Sequence, residues 1–305
     1  MTVDQSRLLV RPATPNDRQL IRSLMRSEAY IHTHLDWKPV EDWLGDQPFL
    51  VAERETRSLG ALACPPAPAD TAWLRFFAVL REVSSEEVWH LLWPQAQKRL
   101  ETLEVKGAAA LSLDGRLDPL YRASGFEQTH NVVVLSRLYE RTERTGASKF
   151  SFPFSFSQPE SSTARTQSPA TIRIARPEEY LVIGAIDTAA FIAPWQMTPE
   201  LLRLAMAQAN FVTVAEVDRQ IVGYQLSTPS SSGAHLARLA VRPEWQGHGI
   251  GSALVVHVLE HYRKFGARTI TINTQDSNTA SIRVYQRLGF TLSGVRFPVF
   301  QLLLR

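Results

Sequence analysis

Short apolar runs alternate along this chain with longer segments whose apolar residues return every three to four positions. In the second half the pattern is legible element by element. Thr171–Ala175 reads as a strand, and Pro177–Thr188 and Pro199–Gln208 read as helices. Val212–Val217 and Ile221–Ser227 alternate as a hairpin that turns at Asp218, Arg219 and Gln220. His235–Val241 is a strand, Gly249–Phe265 a helix, Thr269–Thr274 a strand and Asn278–Leu288 a helix, with two final strands expected within Phe290–Leu304. Strands alternating with helices predict an α/β fold with a mixed, mostly antiparallel β-sheet flanked by helices.

The pattern occurs twice. Four stretches recur in order at an offset of 162 to 164 positions: LLVRPATP (8–15) with IRIARPEE (172–179), LVAERETRSLGAL (50–62) with VTVAEVDRQIVGYQL (212–226), WLRFFAV (73–79) with HLARLAV (235–241), and YRASGF (121–126) with YQRLGF (285–290). Glu53 falls against Glu216 and Gly60 against Gly223. Chance gives one such echo, hardly four in register, so we read two copies of one domain in tandem. The first covers 1–140, a linker 141–170 and the second 171–305. Within the polar, Ser/Thr-rich linker, Phe150, Phe152, Phe154 and Phe156 alternate strictly, which places four rings on one face of an extended segment; packing onto a domain is the expected use.

Composition narrows the function classes. With 305 residues and 44% apolar content, two domains of ordinary size can each bury a core. Only 33 basic residues stand against 30 acidic ones, so no electrostatic argument favours nucleic acid as a partner. The single cysteine, Cys64, excludes an intrachain disulfide and fits a cytoplasmic location. No apolar run at the N-terminus suggests a signal peptide, and no window approaches the ~20 apolar residues of a membrane span, so no membrane partner is expected.

The candidate chemistry lies between a strand and a helix. Gly247, Gly249 and Gly251 fall on alternate positions just before a helix whose apolar stripe is Leu254, Val255, Val258, Leu259, Tyr262 and Phe265. A helix N-terminus presents unpaired N–H groups and partial positive charge, and alternating glycines let the backbone approach an anion closely. A P-loop would need Gly-Lys-Ser/Thr, and Gly251-Ser252 has no lysine before the serine. A Rossmann loop would place its first glycine at the strand end and an acid at the end of the next strand. Here Arg242–Gln246 intervene, and the next strand ends in Asn273, Thr274 and Gln275.

The stretch resembles the Gcn5-related N-acetyltransferase family. The family's phosphate loop, Gln/Arg-x-x-Gly-x-Gly/Ala, is matched by Gln246-Gly-His-Gly249-Ile-Gly251 after Val241-Arg-Pro243. A second family block is matched by Asn278-Thr-Ala280 and Tyr285-Gln-Arg-Leu-Gly289-Phe290. The resemblance covers about 171–305 with both motifs; the first copy keeps only the Tyr-x-x-x-Gly-Phe piece. It implies acetyl-CoA as donor, no metal, and two tandem acetyltransferase-like domains. By the same resemblance, amides of Gly247, His248, Gly249, Ile250, Gly251 and Ser252 would hold the pyrophosphate, and the backbone of Leu239, Ala240 and Val241 would pair with the pantetheine arm. Asn278 would hydrogen-bond the cofactor, and Tyr285 would protonate the leaving thiolate.

The residues leave several roles open. Tyr285 is either that acid or a core aromatic at a helix end, as Tyr121 is in the copy without a loop. The base is either His235, which titrates near neutrality, or a water relay, for which Asn273 can hold the water. Glu216 has its twin in the first copy, so a structural role is expected. His257-Val-Leu-Glu260-His261 matches the inverted zinc-protease order, but the histidines flank a committed apolar stripe and no acid follows Asp276. IHTH (31–34) reads as a loop or helix end rather than a metal site, although Asp36 is near.

The first copy has no glycine from Leu80 through Gln97, and Ser84 or Ser85 followed by Glu86 and Glu87 fills the place of a phosphate. We therefore expect a degenerate first copy and one cofactor site per chain. The acceptor, an amine on a small molecule or a peptide N-terminus, is expected between Phe191, Trp195 and Met197 on one wall and Arg296, Phe297 and Phe300 on the other. The alternative is a CoA-binding sensor or scaffold without transfer. A homodimer is compatible with either.

Overall fold

The computed structural model describes residues 8–26, 31–55, 57–67, 70–139, 168–231 and 233–304. The Phe150–Phe156 stripe lies outside them. The first copy runs β1 (Leu8–Pro12), α1 (Arg18–Arg26), β2 (Ile31–Thr33), β3 (Phe49–Arg54), β4 (Arg57–Ala63), β5 (Thr71–Trp73), β6 (Phe76–Val79), α2 (Ser85–Thr102), β7 (Gly107–Leu111), α3 (Asp118–Ala123) and β8 (Glu127–Leu138). The second runs β9 (Thr171–Ile174), α4 (Tyr180–Ala190), α5 (Pro199–Gln208), β10 (Phe211–Val217), β11 (Gln220–Ser230), β12 (Gly233–Val241), α6 (Ile250–Lys264), β13 (Thr269–Gln275), α7 (Thr279–Arg287) and β14 (Thr291–Leu303).

The repeat survives in three dimensions, down to its polar contacts. Arg11 bonds both Asp17 and Glu53, and Arg173 bonds both Glu179 and Glu216 in the same way. Each arginine ties the first strand of its copy to the following turn and the neighbouring strand, so Glu53 and Glu216 are structural. Gly60 and Gly223 also share a role: a Cβ on Gly60 would stand 2.5 Å from the Ala78 carbonyl oxygen, and one on Gly223 would stand 3.0 Å from that of Ala240. A side chain at Gly60 would collide with the Ala78 oxygen, and one at Gly223 would be crowded by that of Ala240.

The sheets do not follow chain order. Among the described residues, one sheet has the order β1-β3-β4-β6-β2 and the other β5-β7-β14-β8-β13-β12-β11-β10-β9. The last strand of each copy is exchanged. β8 lies between β13 and β14, pairing Leu138–Val132 with Thr269–Gln275. β14 lies between β7 and β8, pairing Val299–Leu303 with Leu111–Gly107. The two strands expected within Phe290–Leu304 are therefore one bent strand, whose register slips between Leu292 and Arg296 and between Val299 and Phe300. Its hairpin partner comes from the other copy. Phe300 is accordingly buried in the first copy's core, 5.4 Å from Tyr121 between ring centres, beside Trp89, Trp93 and Phe126.

Candidate active site

β12 and β13 begin side by side and then part. Gly233–Leu236 pairs in parallel with Thr269–Ile272, and the pairing ends there. Two causes are visible. Ala237 is an extra residue in the ladder with β11, where Leu226 opposes Arg238 and Ser227 opposes Leu236, and such a bulge turns a strand away from its neighbour. On the other side, Asn273–Gln275 stay paired to β8. Leu239, Ala240 and Val241 remain paired to β11, and no described strand covers their other edge.

The glycine loop lies beyond this open edge. Gly247 and Gly249 have φ of 80° and 75°, a region closed to most side chains, and Gly249 is the N-cap of α6. A Cβ on Gly247 would meet nothing within 4 Å, so the loop's outer face is open. The first helical amide with a backbone partner is that of Ala253, bonded to the Gly249 carbonyl oxygen at 2.9 Å. The amides of Ile250, Gly251 and Ser252 come before it and point out of the helix end, as helix geometry requires. Gln246 donates to the Val241 carbonyl oxygen at 3.0 Å, and the His248 ring lies 3.0 Å from the Gln246 carbonyl oxygen, so both side chains brace the loop. α6 is held from below by Leu254, Val255, Val258, Leu259 and Tyr262, all buried; Phe265, the sixth expected member of that stripe, is 77% exposed and rests on His261 instead. Residues with this backbone and this open strand edge fit a diphosphate joined to an extended, amide-bearing arm.

The same place in the first copy is filled. The strand equivalent to β12 is broken at Leu74 and Arg75. β5 pairs with β7, and β6 pairs with β4. The edge of Phe76–Ala78, the counterpart of the open edge in β12, is occupied by β2, with Ile31 opposite Ala78, His32 opposite Phe77 and Thr33 opposite Phe76. IHTH is thus neither loop nor helix end but a strand that takes the slot for itself. His32 is buried there, with Nε2 3.0 Å from the Leu74 carbonyl oxygen. At the helix end, Ser84 Oγ accepts the Glu87 amide of α2, and Glu87 is tied to Arg54. Both halves of the site are closed by the chain itself.

A cavity of about 220 Å³ opens at the mouth of the parted strands. Its second-copy wall includes Phe191, Trp195, Met197, Ala237–Leu239, Asn273–Gln275 and Asn278. The expected opposite wall of Arg296, Phe297 and Phe300 is absent from the lining, because β14 turns Phe300 into the first copy's core. The wall is made by the first copy: His34–Trp37 after β2, with Trp73, Arg75, Leu111 and Val132. Neither wall's framework was foreseen. Asp187, fully buried, accepts from Arg238 Nε and Tyr224 Oη at 2.5 Å each and from the Met197 amide at 2.9 Å. Arg238 also donates to the Trp195 carbonyl oxygen at 2.6 Å and lies over the Phe191 ring. This hub fixes the Phe191–Met197 loop. The signal available in the sequence was one acid inside the apolar run YLVIGAIDTAAF.

The remaining expected residues divide. Asn278 reaches the cavity wall and also caps α7, its Oδ1 accepting the Ser281 amide at 3.1 Å. Asn273 lines the cavity. Tyr285 is the buried residue of α7 and is not in the lining; burial pushes its phenol up to about 12, with a hydrogen bond to Ser281 opposing. His235 also stands outside the cavity. It sits where β12 and β13 are still paired, its Nδ1 2.9 Å from Thr271 Oγ1, and burial lowers its pKa. His261 is stacked on Phe211 with centres 3.6 Å apart, and His257 packs against the same ring. No group of three or more His, Cys, Asp or Glu able to hold a metal occurs among the described residues.

Residues 180–290 match the acetyltransferase (GNAT) family. The chain is 32% identical over 109 residues to an uncharacterized N-acetyltransferase of Methanocaldococcus jannaschii, covering 35% of this chain and 69% of that protein. It is 36% identical over 63 residues to the [ribosomal protein bS18]-alanine N-acetyltransferase of Escherichia coli, covering 21% of this chain and 43% of that one. It is 30% identical over 157 residues to the mycothiol acetyltransferase of Sanguibacter keddieii, covering 46% and 50%. The chain thus aligns with no more than half the length of these two enzymes. Among solved structures, a GCN5-related N-acetyltransferase from Sphaerobacter thermophilus superposes at TM-score 0.57 with 17% identity, covering 98% of this chain and 96% of the other. A tandem GNAT protein from the clavulanic acid biosynthesis pathway superposes at 0.56, also with 17% identity, covering 98% and 99%. At that identity the likeness is one of fold, and it extends over both copies.

Proposed function

This chain belongs to the acetyltransferase (GNAT) family, and we propose that its second copy moves an acetyl group from acetyl-CoA to a primary amine. The observation that carries the reading is the pairing of a glycine loop at the N-terminus of α6 with an uncovered strand edge at Leu239–Val241, whose first residue, Leu239, also lines the cavity. The amides of Gly247, His248, Gly249, Ile250, Gly251 and Ser252 would hold the diphosphate, and the backbone of Leu239, Ala240 and Val241 would bond the pantetheine arm as a further strand. Family members in general use this donor, whose thioester supplies an already activated acyl carbon.

The protein's part is positional and protonic. The cavity walls would bring an amine to the mouth of the parted strands and orient it there. The amine must shed a proton, and the thiol side must gain one. Asn273, in the lining, supports the relay in which a bound water takes the first. His235 is the weaker base, since Thr271 engages its ring outside the cavity. Tyr285 remains the proposed acid.

The deep burial of Tyr285 also favours a second reading, a sensor or scaffold that binds CoA without transfer. One experiment separates binding from its absence: calorimetric titration with acetyl-CoA, together with thiol release in the presence of amines. One site per chain is expected, lost in Gly249→Glu, which places a carboxylate and a strained backbone at the loop. Absence of binding to the native chain removes both readings. Two sites would contradict the closed slot of the first copy.

A further inference from the structure

Opening the cavity leaves one of its walls without support from its own copy. β13 pairs with β12 only as far as Ile272, and the bulge at Ala237 then carries β12 away. Beyond that point Asn273, Thr274 and Gln275 have a single described neighbour, β8 of the first copy, opposite Val134, Val133 and Val132. The ladder ends at Gln275. Asn278, which the reading above assigns to the acetyl donor, lies beyond it in the turn between β13 and α7.

That turn, too, is held from the first copy. Asn131, the next residue of β8, bonds Asp276 across 145 positions of chain. Its amide donates to Oδ1 at 3.1 Å, its Nδ2 donates to Oδ2 at 2.7 Å, and its carbonyl oxygen accepts the Asp276 amide at 2.8 Å. The bond from the Asn131 side chain is also the main cause that holds the Asp276 carboxyl below the ordinary carboxylate range, so both its oxygens stay acceptors. Two further bonds relay the position to Asn278. Its amide donates to the Gln275 carbonyl oxygen at 3.0 Å, and its Oδ1 accepts the Ser281 amide at 3.1 Å. With Oδ1 committed to the cap of α7, the side-chain NH2 is the end left to offer a ligand in the cavity that Asn278 lines.

We propose that Asn131 of the first copy is a positioning residue for the second copy's donor site: through Asp276 it sets where Asn278 presents its amide to acetyl-CoA. The cavity needs β12 and β13 apart, and a parted β13 cannot take its position from β12. A strand of the other copy supplies it instead. Two parallel bonds to one carboxylate fix direction as well as distance, which a single contact would not. The first copy, closed to a donor of its own, thereby takes part in binding the donor of the second. The inference deepens the donor reading above and rests on it.

Because the clamp is an amide facing a carboxylate, it can be reversed. Asp276→Asn leaves one side-chain oxygen for two N–H groups of residue 131, and Asn131→Asp sets two carboxylates face to face. Either change should weaken acetyl-CoA binding, measured by calorimetry, by roughly three- to tenfold. Asn131→Asp combined with Asp276→Asn restores an N–H for each oxygen and should return the affinity to within about twofold of native. Gln128, which donates to Asn131 Oδ1 at 3.2 Å, keeps an acceptor in the reversed pair. Asn278→Ser shows through which residue the clamp acts, since it keeps a hydroxyl to cap α7 but withdraws the amide. It should weaken binding by itself, and adding Asp276→Asn to it should cost nothing more. Cooperative melts check folding, and if Asn131→Asp fails that check, Asp276→Asn and the two double variants decide. Native affinity in Asp276→Asn, no recovery in the reversed pair, or an undiminished effect of Asp276→Asn beside Asn278→Ser overturns the positioning role alone. No binding of acetyl-CoA by the native chain removes the donor reading and this role with it.

Discussion

Tyr121 and Tyr285 hold the same place in the two copies, and their surroundings differ in one respect that matters. Tyr121 is packed among Trp89, Phe126 and Phe300, and its hydroxyl is buried with no partner among the described residues. Tyr285 has Ser281 beside its hydroxyl and a copy with an intact glycine loop around it. A phenol held at about 12 by burial stays protonated through the neutral range, which an acid for a leaving thiolate requires. Tyr285→Phe should therefore lower kcat by roughly 100-fold and keep acetyl-CoA affinity within a few-fold. Tyr121→Phe should leave kcat unchanged, since it removes an unpartnered buried hydroxyl outside the cavity lining. Equal and small effects of both would remove Tyr285 as the acid and leave its role as core packing. At this scale the sequence could propose the residues that a motif names, Gly247 to Ser252, Asn278 and Tyr285. It did not expose Asp187, Arg238, Asp36 or Arg75, because each of these depends on a partner distant in the chain.

Elements with their own periodicity were legible nearly to the residue. α5 starts and ends at the expected residues, Pro199 and Gln208, and α6 differs from the expected helix by one residue at each end. β2 was not legible, since three residues carry no period and their pairing is decided by an edge more than forty positions away. The strand nevertheless closes the first copy and leads into the cavity wall, and its histidine makes it sensitive to acid. Burial lowers the pKa of His32 to about 4, against smaller opposing effects of the Leu74 carbonyl and Asp114. In the unfolded chain it titrates near 6.5, so between about 6.5 and 4 the unfolded state binds the extra proton and stability falls as pH falls. Above 6.5 the contribution is complete, and below 4 it is gone; the whole amounts to about 3 kcal/mol. Urea melts of the native chain from pH 7 to pH 4.5 should show this loss, and His32→Gln, which retains a donor for Leu74, should lose distinctly less. A variant with the same pH slope would mean that His32 does not carry it.

The whole molecule is joined more tightly than its repeat implies. Sequence periodicity reports each copy's internal order and says nothing of which copy a final strand will join, so two separable sheets were the natural expectation. Exchange of β8 and β14 alters the physics. β14 pairs only with β7 and β8, both from the first copy, and β13 has β8 as one of its two neighbours. Residues 168–305 expressed alone would leave β14 without any ladder and one edge of β13 bare, together with the apolar faces those strands cover. Such a fragment should be recovered as aggregate or as a species without a cooperative melt. Cleavage at a protease site engineered near residue 155 should behave in the opposite way. It cuts the chain between the exchanged strands without breaking either ladder, so the two pieces should elute together and keep acetyl-CoA binding. If the isolated second half instead folds, binds the donor and acetylates amines as well as the full chain, the first copy is dispensable. The exchanged strands would then be an accident of duplication rather than the reason the cavity has two walls.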